Sequence, residues 1–225
     1  MDDKLDRYAF HVFRDMADKD YIAARLCYKS RLMPQFLWQG LQAVEKYIKC
    51  IYFLQRIPSK KLSHNIVKGL DKILFEFPHV LPKMTEDSYE FTKLLHSFGK
   101  YRYLEKGYNA HSEYLIYLDR LVAELRCYCT REAPEDHSQF RYFHIEGGEL
   151  ENILANEDDK AFEALTWENG FFGVEKRNQV ALQKFMIAER PALVHEPELL
   201  TEIQKLIHLP KEIVEVYKQM ASTKS

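Results

Sequence analysis

The chain has 225 residues, 46% of them hydrophobic and 29% charged, enough for one large domain or a domain with an extension. Only eight Gly and eight Pro occur, which excludes a turn-rich β-sandwich and leaves room for long helices. The formal net charge is −2, so the chain is not a polycation that would bind nucleic acid by charge alone. The charge is unevenly spread, with eight Lys/Arg against three Asp/Glu from Pro34 to Lys83 and eight Asp/Glu against one Lys from Ile145 to Asn169. A basic segment of this kind suits phosphate contacts, and an acidic one suits docking on a basic face.

In chain order, residues 4–17 and 19–31 read as one or two amphipathic helices. A long helix follows at about 34–55, with Pro34 in its first turn, where a missing N–H costs nothing. One apolar stripe is Leu37, Leu41, Val44, Ile48 and Ile51; a second is Phe36, Gly40, Ala43, Tyr47, Cys50 and Leu54. Two stripes mean a central helix covered on two sides. Gly40 and Ala43 admit a close neighbouring backbone. Gln39, Gln42, Glu45, Lys46 and Lys49 form the remaining narrow polar strip, with Glu45 and Lys49 in the favourable i,i+4 order.

Pro58-Ser59-Lys60-Lys61 is a loop. Ser63 is placed to cap a helix running to about Phe77, with Ile66, Leu70, Ile73 and Phe77 inward. The residues 78–83 break the chain, and Thr85 caps a helix to about Lys106 that ends at Gly107. The next helix spans about 110–130 and carries Tyr114, Leu118, Leu121, Val122 and Leu125. After Thr130 comes a polar connection, then RYFHIEGGE as a short extended piece. Further helices follow at roughly 148–167, 174–189, 197–208 and 211–221. These patterns predict an all-α bundle over residues 1–132 and a mostly helical extension over 133–225.

Cys27, Cys50, Cys127 and Cys129 form no CxxC pair and no zinc spacing, so they read as reduced, mostly buried thiols of a cytoplasmic protein with no metal site and no cofactor. The N-terminus lacks the apolar core of a secretory signal, and no apolar run approaches the ~20 residues of a membrane span. No Gly-rich phosphate loop, GxSxG elbow or HExxH is present. Asp158-Asp159 reads as a charge pair at a helix N-terminus.

Three stretches, in this order, carry a resemblance: FLWQGLQAVEKYIKCIYFL with Ala43, Glu45 and Lys46; KLSHNIVKGLDKIL with His64 before a Leu-rich helix; and KYRYLEKGY with Arg102 between Tyr101 and Tyr103. Over residues 20–130 the chain resembles the higher-eukaryote and prokaryote nucleotide-binding (HEPN) domain. The resemblance implies an up-and-down helical bundle that dimerises and binds a nucleotide or RNA. In some family members it implies a metal-independent endoribonuclease of toxin–antitoxin or phage-defence systems. Their catalytic motif is an Arg, four to six residues, then a His. Arg131…His137 and Arg190…His195 match this spacing, while Arg102 is followed by His111 at a longer one.

Arg102, Lys46, Lys49 and His64 are the candidate anion contacts, since a guanidinium fork and ammonium groups suit phosphate. Tyr101, Tyr103 and Tyr108 are candidates to stack a base. The catalytic candidates are Arg102, His111, Arg131 and His137. The preferred expectation is a nucleotide- or RNA-binding module without strong catalysis. A metal-independent endoribonuclease and a helical adaptor that engages a partner protein without any ligand are the alternatives.

Overall fold

A computed structural model of the protein describes residues 2–59, 64–81, 84–98, 108–130, 148–171 and 186–189, with 204–205, 214–215 and 218–219. The fold is an all-α bundle, to which one short two-stranded ladder is added. Its elements are α1 (Asp2–Ala9), a π-helical turn (Phe10–Arg14), α2 (Asp15–Lys29), α3 (Met33–Leu54), α4 (Ile66–Glu76), α5 (Glu86–Phe98), β1 (Tyr108–His111), α6 (Tyr114–Arg126), α7 (Glu149–Leu154), α8 (Lys160–Thr166) and β2 (Met186–Glu189).

Compactness divides the chain differently from the boundary expected near residue 133. One unit comprises residues 1–99 and 112–184, and the other residues 100–111 and 185–225. The first unit thus holds α1–α8. The second holds the antiparallel ladder, in which Tyr108 pairs with Glu189 and His111 with Met186. This corrects two helix expectations, and a third fails at 148–167, where α7 ends at Leu154 and α8 begins at Lys160. Residues 186–189 are extended, not the end of a helix, and α6 starts at Tyr114, not at 110. A short apolar run such as Met-Ile-Ala fits helix and strand alike, and pairing with a distant segment decides it. The RYFHIEGGE piece before Gly148 and most of the two last expected helices lie outside the described residues.

α3 is the centre of the first unit, packed by α1, α2, α4, α5 and α6. Leu37, Leu41, Val44, Ile48 and Ile51 are buried on one face, and Phe36, Gly40, Ala43, Tyr47 and Cys50 on the other. Gly40 does not admit a backbone, as its position suggested. A Cβ there would stand 3.2 Å from Leu118 Cδ1 and 3.7 Å from Leu95 Cδ2, so the glycine makes room for side chains of α6 and α5.

The helix ends are defined locally. α2 and α3 each close with an arginine in the left-handed region, Arg31 at φ 58° and Arg56 at φ 56°. Leu32 N–H donates to Cys27 O at 2.8 Å and Ile57 N–H to Tyr52 O at 2.8 Å, the six-to-one bond of a Schellman end. α4 is capped by Asn65, whose side chain accepts from Lys68 N–H at 2.9 Å. The cap therefore falls two residues beyond Ser63, which lies outside the described residues. Thr85 caps α5 by accepting from Ser88 N–H at 3.3 Å, and its own N–H donates to Glu124 of α6 at 3.1 Å. Asp159 caps α8 through Ala161 N–H at 3.0 Å, so the acidic pair stands at a helix N-terminus, as expected, with a capping bond in addition.

α7 and α8 both pack on α2. Gly148, which precedes α7, has φ 97° and ψ −165°, a conformation open to glycine alone. A Cβ there would lie 2.6 Å from an Arg14 guanidinium nitrogen and 2.8 Å from Asp15 Oδ1. Gly148→Ala is therefore expected to destabilise the protein by about 1–3 kcal/mol, read as a lower urea midpoint, with hydrogen exchange accelerating first in residues 149–154.

Candidate functional site

The polar strip of α3 lies where sequence periodicity put it, between the two buried stripes. Lys46 pairs with Asp20 of α2. Lys49 pairs with Glu45 at 2.5 Å, one turn back on the same helix. His64, just ahead of α4, brings Nδ1 to 2.9 Å from the same Glu45 oxygen. Lys49 and His64 therefore meet on Glu45, while Lys46, three residues before Lys49 on the strip, is held by Asp20 of α2. Glu45 is buried, both lysines are about a quarter to a third exposed, and the His64 ring is 79% exposed. Expected neighbours are thus brought together, and Glu45 is held by Lys49 and His64.

His111 ends β1, in the second unit. Arg102, Tyr101, Tyr103, Arg131 and His137, with Arg190 and His195, lie outside the described residues. Tyr108 opens β1 and pairs through its backbone with Glu189. Among the described residues no group of three His, Cys, Asp or Glu side chains could hold a metal ion, and no helix is long and apolar enough to cross a membrane.

The strongest electrostatic feature was not foreseen. Arg25 and Asp18 of α2 and Asp119 and Arg126 of α6 are all buried and form two crossed ion pairs. Arg25 pairs with Asp119, and Arg126 grips Asp18 with Nε at 2.8 Å and a second nitrogen at 3.0 Å. Each helix carries Asp and then Arg seven residues on. The early residue of one pairs with the late residue of the other, which sets the two helices antiparallel.

Each guanidinium and each tyrosine hydroxyl of this network has an acceptor. Tyr21 donates to Asp119 at 2.6 Å and accepts from Asn169 Nδ2 at 2.8 Å, and Tyr47 of α3 donates to Asp18 at 2.6 Å. Arg25 also donates to the Ala164 carbonyl at 2.6 Å and to the Trp167 carbonyl, and so ties the C-terminal end of α8 to α2. Burial pushes the Tyr21 and Tyr47 hydroxyls well up, and the neighbouring aspartates push them further, so both remain donors at any physiological pH. Burial alone would lower the Arg25 and Arg126 guanidinium pKa values, but the partner aspartates more than offset this and leave both raised. The network is chemically closed, since its groups hold one another and leave neither a free base nor a free acid. The repeated Asp-x6-Arg spacing on two apolar faces is the sequence signal that could have found it.

No family model matches the chain, and no curated protein or solved structure shows significant similarity to it.

Proposed function

We propose that the protein is a HEPN-like helical binding module, without strong catalysis of its own, that takes the phosphates of a nucleotide or RNA along the α3 strip and dimerises through its bundle. The observation that carries this reading is the meeting of Lys49 and His64 on Glu45, with His64 arriving from the entrance of α4 and Lys46 three residues before Lys49 on the same strip. Lys46 and Asp20 are both partly exposed, and such a pair contributes about 0–1 kcal/mol, so a phosphate can replace Asp20 at small cost. The family resemblance separately makes Arg102 a candidate phosphate contact and Tyr101 and Tyr103 candidate stacking residues.

The test is binding of structured RNA to the full chain over a range of salt, alongside Lys46→Ala/Lys49→Ala. The expected result is salt-sensitive binding that weakens in the variant, with a shallower salt slope by about one to two. End-labelled RNA incubated in EDTA should stay intact. Cleavage that disappears with Arg102→Ala would instead establish the metal-independent endoribonuclease.

A helical adaptor is the second reading. It is favoured by the fact that Lys46 and Lys49 each already have a carboxylate partner within the chain. It predicts no RNA binding by either protein, with unchanged folding of the variant.

A further inference from the structure

Two of the four cysteines, remote in sequence, meet in the core. Cys50 lies near the end of α3, and Cys129 lies just past α6; both are wholly buried. The Cys129 sulfur sits against the turn of α3 that carries Cys50. Cys129 Sγ also lies 3.6 Å from the Tyr47 carbonyl oxygen, one helical turn before Cys50, and 3.7 Å from that of Leu125. Cys50 Sγ stands 3.8 Å from the Ala9 carbonyl, where α1 passes into the π-helical turn. Cys127 faces elsewhere, donating to Glu124 O at 3.1 Å, and Cys27 is half-buried on α2.

We propose that Cys50 and Cys129 are a modification site, a dithiol that a small-molecule disulfide oxidises to an intramolecular disulfide, stapling α3 to the end of α6. One protein thiolate attacks the oxidant's S–S bond, forming a mixed disulfide and releasing one thiolate. The second protein thiolate then attacks the protein-side sulfur and expels the other. The two protein thiols lose two protons and two electrons, and the oxidant leaves as two thiols.

Burial controls the rate. It pushes the Cys129 thiol well up, with the adjacent Cys50 adding to the shift, so the reactive thiolate is scarce. Both sulfurs are shielded from solvent, so reaction runs through opening of the chain around Cys129. That opening must also loosen Arg126 and its hold on Asp18, because Arg126 lies one turn away. The staple, once formed, fixes this end of the α2–α6 pair against α3, so oxidising conditions convert a bundle that opens locally into one that does not.

The test uses the full chain incubated with oxidised glutathione in buffer and in mild urea. Remaining thiols are alkylated, linked peptides are mapped by mass spectrometry, and thermal unfolding is followed. The expected product has lost two hydrogens, joins Cys50 to Cys129, leaves Cys27 and Cys127 alkylatable, forms faster in urea, and raises Tm by about 4–10 °C until dithiothreitol reverses it. Cys27→Ser/Cys127→Ser, which leaves the buried pair intact, should give the same product. Persistent alkylation of Cys50 and Cys129 after exposure in urea would overturn the proposal. So would glutathione adducts that never resolve, cross-links through Cys27 or Cys127, or a Cys50–Cys129 bond that lowers Tm.

Discussion

Asp119→Ala is expected to lower the stability of the protein by about 3–5 kcal/mol, measured from the urea midpoint at neutral pH. The substitution leaves the Arg25 guanidinium in a site with no solvent exposure and no counter-charge, and takes the acceptor from Tyr21. A surface ion pair would change by less than about 1 kcal/mol, so a loss that small would show that water reaches the pair. The double variant Arg25→Met/Asp119→Leu separates charge from packing. Removing both charges restores much of the loss, because an apolar pair of similar volume avoids the desolvation cost. It does not restore the attachment of α8, since the Ala164 and Trp167 carbonyls lose their donor. Hydrogen exchange should therefore remain faster over residues 160–169 in the double variant even where its midpoint recovers.

How far this could be read from sequence follows from the range of each signal. The two stripes of α3 were legible because the helix is long and strictly periodic, and the cap Thr85 because capping is local. The polar strip was legible as a strip, but Asp20 as the partner of Lys46 was not, because the register between α2 and α3 is absent from either helix alone. The same limit hid the role of Gly40, which faces Leu118 and Leu95. β2 was misread because four apolar-rich residues take their conformation from partners 75–81 positions away. Asp18, Arg25, Asp119 and Arg126 were passed over as ordinary charges. Only their common seven-residue spacing, on faces otherwise filled by Tyr21, Leu115, Leu118 and Val122, marks them as buried partners.

The second ion pair offers the sharper test of that register. Arg126→Met should cost about 3–5 kcal/mol, because Asp18 then keeps only the Tyr47 hydroxyl and no cation. Asp18→Asn should cost a comparable amount, because Arg126 keeps a neutral amide in place of a bidentate carboxylate. The double variant is expected to lose markedly less than the sum of the two, with a coupling of up to about 3 kcal/mol in a cycle of urea midpoints. Seven residues along a helix is about 10 Å, far enough for independent sites to add. Arg126→Met combined with Asp119→Leu should therefore be additive within about 0.5 kcal/mol, although both residues lie on α6. Coupling confined to 18 with 126 and to 25 with 119 is the signature of the crossed, antiparallel pairing. Strong coupling between 119 and 126, or none between 18 and 126, would mean that the charges act as one diffuse cluster and that helix register is set by the apolar contacts alone.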